Sequence, residues 1–426
     1  MAENRDKAWL LDVVDPSEVV VVVLGGGRGS RLYPLTRDRA KPAVGFGGKY
    51  RLIDITLTNC LRSRFNRIFI LTQFNSFSLN RHIWQTYSRE MPRDGFVDVV
   101  AAEQTMKRED WFQGTADAVR QSLRHVLRHK PRYVLILSGD QIYSMDYRSL
   151  LLWHQTQHAD ATIAAHYSAE NEISALGVVK VTPNLDVAAF CEKPQNCSLV
   201  SDFRLDNATG LKFPKDKPFL GSMGLYLFET SVLVDALEGE EADFGRGLIP
   251  KLAGRIKMSC YPFDGYWKDV GTVQAFYEAN MDWRAGGGIA DMFQGGASII
   301  THSRQLPPSR IQGTAIEDSL IADGCSIAAK AIARSVIGVR SRIGTGSIIE
   351  DSIIMGNDDS AGAAHFEIGA NVTIRGAIVD KNVVIGDGAA IENAQAIPEA
   401  DTSLYTIRSG IVIIPKGTAI PPGARI

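Results

Sequence analysis

The sequence has few cysteines, almost no net charge and no long uninterrupted apolar run. Its five cysteines, Cys60, Cys191, Cys197, Cys260 and Cys325, are scattered over 426 residues without a metal-ligand spacing, which suits a reducing cytosol and provides no zinc motif. The apolar run after Ser17 meets glycine too soon to cross a bilayer or to form a signal-peptide core. A formal charge of −2 gives no bulk attraction to nucleic acid or to an anionic membrane, so any anion site must be local. Two common nucleotide signatures are also missing. Gly25, Gly27 and then Ser30 break the G-x-G-x-x-G spacing, and no Gly-Lys-Ser/Thr follows the glycines. These absences predict a soluble, cytoplasmic protein without nucleic-acid or membrane partners.

What is present begins with a run of five valines, residues 19–23, that ends at Leu24 and passes directly into Gly25-Gly26-Gly27-Arg28-Gly29. The valines predict a strand buried on both faces of a parallel sheet, and the glycines a tight turn at its rim. Glycine lets backbone N–H groups approach an anion closely. Arg28 and Arg31 add guanidinium donors, and Lys41 adds a mobile point charge, so one polyanion site accounts for all of them.

At 45% apolar content, 426 residues suffice for two domains. Residues 1–17 read as a leader with Trp9, Leu10 and Leu11 docking on the core, residues 18–281 as an α/β domain, and residues 282–309 as a linker rich in glycine and polar residues. Residues 49–61 predict a helix. Residues 67–72 predict a strand, and Gln73 at its carboxyl end is either a reader of a base edge or a plain surface amide. Leu79, Ile83 and Tyr87 are spaced for an amphipathic helix over 78–87. Gly114-Thr115 opens another helix, whose N-terminus either faces an anion or is simply capped.

Strands are predicted over 133–137, 161–167, 176–181, 187–190 and 220–229. Asp140 follows the first of these by three residues and is placed to hold Mg²⁺ or to cap a helix. Asp269 lies between aromatic residues and glycines just before a helix over 273–281 and pairs with Asp140 as the second carboxylate of one metal. Glu192 and Lys193 point to opposite faces if extended, but a turn before Pro194 brings both to a sugar phosphate. Two carboxylates beside basic phosphate binders suit metal-assisted phosphoryl or nucleotidyl transfer.

From residue 310 an isoleucine or valine recurs every five or six positions: Ile316, Ile321, Ile327, Ile332, Ile337, Ile343, Ile349 and Ile354, then Ile368, Ile374, Val379, Ile385 and Ile391. Glycines and small residues fill the gaps. This hexapeptide beat predicts a parallel β-helix over 310–426, a platform for self-association. His365 falls in the insertion that interrupts it.

The segments LGGGRGSRLYPLT (24–36), AKPAV (40–44), FGGKYRLID (46–54), WFQGTADAV (111–119), SGDQIYSMDY (138–147), EKP (192–194), GSMGLYLF (221–228), DFG (243–245) and GYWKDVGT (265–272) occur in that order, and IRSGIVIIPKGTAIPPGARI closes the chain. In these the chain resembles the bacterial and plant ADP-glucose pyrophosphorylase (glucose-1-phosphate adenylyltransferase) family over about residues 18–426. The resemblance implies a Rossmann-like, GT-A-type nucleotidyltransferase domain with a mostly parallel mixed sheet, followed by a left-handed parallel β-helix. It implies adenylyl transfer from ATP to glucose 1-phosphate with Mg²⁺, in glycogen or starch synthesis.

It further implies that Gly25, Gly26, Gly27, Gly29 and Arg28 cradle the triphosphate, and that Lys41 touches phosphate. Gln113 and Gly114 would serve the base, where the strand-end position of Gln73 also makes it a candidate, and Asp140 and Asp269 the metal. Gly177, Glu192, Lys193 and Ser222 would hold the sugar phosphate. A homotetramer under sugar-phosphate or phosphoglycerate control is implied, with Lys416 as an effector residue. The chain departs from the family at Gly45 and Thr56, where proline is common, at Asp38, where some members carry a basic activator residue, and in the linker. A non-catalytic regulatory subunit, a pyrophosphorylase for another base and a β-helix acyltransferase using His365 are the competing readings.

Overall fold

The computed structural model describes residues 13–88, 91, 94–103, 110–206, 209–286, 298–358 and 367–426. Trp9, Leu10, Leu11 and His365 lie outside the described residues.

The valine run forms the strand Val19–Leu24 at the heart of a nine-stranded sheet. Its side chains alternate between two cores. Val19, Val21 and Val23 pack with the helices Leu52–Arg62 (α1) and Phe77–Tyr87 (α2), whereas Val20 and Val22 pack with the helix Thr115–Leu127 (α3). In spatial order the sheet runs Val187–Glu192, Gly177–Val181, Phe219–Glu229, Tyr133–Ser138, Val19–Leu24, Arg67–Thr72, Phe96–Ala101. Ala161–Ser168 and Met258–Phe263 join beside Phe219–Glu229. The strands from Tyr133–Ser138 to Phe96–Ala101 pair in parallel, and the two neighbours of Phe219–Glu229 in this order are antiparallel to it. The carboxyl ends of Val19–Leu24 and Tyr133–Ser138 therefore open side by side, where ligands of open α/β sheets sit.

Two predicted helix boundaries move by three residues. The helix expected from Lys49 starts at Leu52, because Tyr50–Arg51 pairs with Gly45–Phe46 in a small hairpin and Arg51 N–H donates to the Asp54 carboxylate at 2.9 Å. The helix expected to end at Met281 runs on to Arg284.

Beyond the linker, short parallel strands stack in coils. Ile316 pairs with Ile332, Ile332 with Ile349, Ile349 with Ile374 and Ile374 with Ile391 on one face; Ile321, Ile337, Ile354, Val379 and Ile414 align on a second. Successive beats of the repeat thus fall on successive faces, and the aliphatic columns line the interior except at the first coil, where Ile316 is exposed. The flank of the β-helix packs on the first domain through a shared core in which Val44, Phe46 and Phe276 meet Val336, Met355, Ile378 and Ile413. Among the described residues no helix is long and apolar enough to cross a membrane.

Candidate functional site

Three adjoining cavities occupy the carboxyl ends of the central strands. The largest, about 820 Å³, is lined by Gly26, Gly27, Arg28, Gln73, Gln113, Gly114 and Asp140, and also by the exposed aromatic residues Phe74 and Trp111. The second, about 370 Å³, is lined by Gly177, Glu192, Lys193, Ser222 and Asp269. A third, about 200 Å³, lies against Gly25, Gly27, Gly29, Arg31, Lys41 and Asp140. All predicted site residues except Lys416 are gathered here.

The glycine loop leaves the sheet with Gly25 N–H bound to Leu71 C=O at 2.9 Å. Gly29 adopts a left-handed conformation (φ +63°), and a Cβ there would stand 2.9 Å from Thr36 Cγ2. Glycine is required at this turn.

Asp140 and Asp269 meet because two short strands, Gln141–Tyr143 and Trp267–Asp269, pair antiparallel and place Asp269 opposite Gln141. The ammonium of Lys41 lies between the carboxylates, 2.8 Å from Asp140 Oδ2 and 3.5 Å from Asp269 Oδ1. The Ser138 hydroxyl donates to Asp140. Burial alone would raise the Asp140 pKa, but Lys41 and this hydroxyl hold it below the usual carboxylate value. Burial likewise opposes the charge on Lys41, and the two carboxylates outweigh it and raise its pKa. Lys41 thus neutralises the acidic pair at the edge of the cavity that the glycine loop lines. Among the described residues no cluster of three or more His, Cys, Asp or Glu forms a closed metal cage. Two hard oxygen donors already bridged by a cation fit Mg²⁺, which binds through one or two carboxylates together with substrate phosphates.

In the second cavity, Lys193 has left-handed backbone (φ +48°), which turns Glu192 and Lys193 toward the same space despite their adjacency; their charged groups stand 3.4 Å apart. A Cβ on Gly177 would fall 2.3 Å from Phe190 and 2.8 Å from the Glu192 carboxylate, so glycine makes room for that acid. Ser222 sits where the strand Phe219–Glu229 slips register against Ala161–Ser168, and its hydroxyl accepts from Gly224 N–H at 3.2 Å. The slip re-aims the hydroxyl into the cavity.

The start of α3 is not open to a ligand. Thr115 N–H donates to Asp243 at 3.2 Å, and Ala116 and Asp117 N–H donate to Ala242 C=O at 2.8 and 3.0 Å. Of the two predicted readings, capping is the one observed. Asp243, carried by the DFG segment, lines both larger cavities and is not among the predicted site residues; nothing in the sequence around Phe74 marks it as lining the largest. Gln73 donates its amide to Phe112 C=O at 3.3 Å, and its buried carbonyl oxygen has no partner among the described residues. The Gln113 amide donates to Trp111 C=O at 2.7 Å.

Lys416 lies outside the cleft, at the seam between the two domains. It and Lys381 both bind the Asp358 carboxylate, each at 2.6 Å. Arg37 donates to Lys416 C=O at 2.8 Å, and Arg39, Arg51 and Arg304 surround the group.

Residues 20–286 match the family model described as Nucleotidyl transferase, and residues 304–424 match that described as GLGC left-handed parallel beta-helix domain. With a glycine-lined cavity beside paired carboxylates and a family match over more than half its length, the chain belongs to the nucleotidyl transferase family.

Proposed function

We propose that the protein transfers the adenylyl group of ATP to α-D-glucose 1-phosphate, releasing ADP-glucose and pyrophosphate. The supporting observation is the junction of two cavities at Asp140, Asp269 and Lys41: one of about 820 Å³ floored by the glycine loop, one of about 370 Å³ bearing Glu192, Lys193 and Ser222. The match of the second domain to the GLGC β-helix favours sugar-1-phosphate nucleotidyl transfer of that type.

In this reading the loop from Gly25 to Gly29 and the Arg28 guanidinium cradle the triphosphate, with the Gly25 N–H itself committed to Leu71 C=O. Gln73, Gln113 and Gly114 frame the base, and the unpartnered carbonyl oxygen of Gln73 is an acceptor suited to an exocyclic amino group. Glu192 and Ser222 orient the sugar hydroxyls beside Gly177, and Lys193 holds the sugar phosphate. Asp140 and Asp269 would hold Mg²⁺, which supplies charge neutralisation at the triphosphate when bound. Lys41, held between the two carboxylates, borders the cavity lined by the glycine loop and supplies positive charge to phosphate there. A sugar-phosphate oxygen attacks the α-phosphorus in line, a new P–O bond forms, and the bond to the β-phosphate bridging oxygen breaks. That nucleophile is anionic at neutral pH, so the chain needs only to place and neutralise the reactants.

The Lys416–Asp358–Lys381 group is proposed as the contact for a sugar-phosphate or phosphoglycerate effector, in a homotetramer assembled through the β-helix. Pyrophosphate release from each nucleoside triphosphate with glucose 1-phosphate, with and without these additives, tests the whole reading. ATP preference supports it; preference for another base reassigns the substrate; no turnover with any pair overturns it in favour of a regulatory subunit.

A further inference from the structure

Lys41 must be held accurately to serve two carboxylates at once, yet its segment contains little regular structure. A single turn, Lys41–Ala43, follows it, and Ala40 N–H binds Asn75 C=O at 3.1 Å. The strongest side-chain anchor lies two residues upstream. Arg39 reaches across the seam, where its Nη2 donates to both oxygens of the Asp380 carboxylate, one of them at 2.6 Å. Both side chains are buried, 5% and 1% exposed. Asp380 is itself fixed by its N–H on Ile414 C=O at 3.0 Å and by Lys381 N–H on its Oδ1 at 2.6 Å. It follows the strand Ala377–Val379, whose Ile378 shares a core with Val44 and Phe46, just downstream of Lys41.

A buried pair of this kind is a poor source of stability, because desolvation offsets most of its attraction and well-packed apolar residues serve as well. Its effect here is geometric. We infer that Asp380, on the β-helix, is a positioning residue for nucleotidyl transfer: through Arg39 it holds Lys41 between Asp140 and Asp269. The inference rests on the catalytic place given to Lys41 above. Two residues of chain span at most about 7 Å, so freedom at Arg39 reaches Lys41 with little attenuation.

The test uses the full chain. Asp380→Asn is expected to lower kcat on the order of 10²-fold, the cost of about 1 Å of misplacement, with a much smaller change in KM. Since that variant leaves a buried guanidinium unpaired and risks misfolding, Arg39→Met/Asp380→Leu provides the well-folded alternative, with a retained thermal midpoint and the same fall in kcat. In a Lys41→Ala background, adding Asp380→Asn is expected to change the rate by no more than about two-fold, because the two act as one unit. An independent readout is the rate at which acetic anhydride modifies Lys41, followed by peptide mass; either Asp380 variant is expected to raise it about tenfold as the amine leaves its carboxylates. A folded double variant with wild-type kcat, or Lys41 labelling unchanged by loss of the pair, overturns the inference. The labelling is read even if the wild-type chain turns over nothing, which separates failure of the positioning role from failure of the adenylyl-transfer reading.

Discussion

Lys41 occupies the position at which the charges of the cleft are balanced. Its ammonium lies between two carboxylates, so loss of the charge on one still leaves it a partner. Asp140→Asn should accordingly leave the thermal midpoint within a few degrees of wild type while lowering turnover by about 10²–10³-fold, the size expected when a metal-holding charge is lost. Parallel melting curves and pyrophosphate-release rates check both halves, and an unchanged rate would remove Asp140 from the chemistry. Lys381 offers a pH test at the seam. Burial, helped by Arg51 and Arg39 and opposed by Asp358, brings its pKa down to about 8. A depressed lysine sheds its proton as pH rises through 8, which relieves the cost of burying the charge and also removes a cation from the proposed effector contact. The concentration of sugar phosphate giving half-activation should rise about tenfold from pH 7 to 9, the worth of one charged hydrogen bond. Lys381→Gln should flatten that dependence.

At the scale of elements, loops that approach one another closely are the sensitive points. Gly114 precedes α3 in extended backbone, and a Cβ there would stand 2.5 Å from Ala242 O and 2.8 Å from its carbonyl carbon. Backbone cannot swing aside as a long side chain does, so Gly114→Ala must push the 242–244 loop off the cap that Asp243 provides. A loss of about 1–3 kcal/mol is expected from such overpacking, measured by denaturant unfolding, together with a higher KM for both substrates because Asp243 borders both cavities. This is also the scale at which the sequence was most readable. The valine strand, the α2 face of Leu79, Ile83 and Tyr87, and the isoleucine beat are periodic, and periodicity survives without tertiary context. The glycine loop was legible because local backbone geometry demands glycine at Gly29. What stayed hidden depends on single residues meeting across long stretches of chain. Nothing near Asp54 announces that it is buried and accepts from Tyr87 at 2.8 Å and Thr301 at 2.7 Å, with His82 Nε2 at 2.5 Å. Nor does anything near Arg39 point to a partner 341 residues away. Glu192 and Lys193 were ambiguous for the opposite reason: adjacency suggests opposite faces until a left-handed Lys193 turns them together.

For the molecule as a whole, the question is whether the β-helix is an appendage or part of the fold that carries the cleft. Val44, Phe46 and Phe276 of the first domain complete their core with Val336, Met355, Ile378 and Ile413 of the second. Re-exposing those three alone would cost roughly 5–9 kcal/mol at about 1.5–3 each, comparable to the whole stability of a typical domain, about 5–15 kcal/mol. The same seam carries the Arg39–Asp380 pair and the Arg37 contact to Lys416, so removal of the β-helix would also unpair a buried guanidinium next to the cleft. A chain ending at Gly286 is therefore expected to lose cooperative melting or to associate through its uncovered apolar face, followed by circular dichroism and light scattering. If instead it melts cooperatively at the temperature of the full chain and turns over at the full rate, the seam is dispensable. The β-helix would then act on the cleft only through assembly with other copies, and coupling between them would have to be sought at the contacts between subunits.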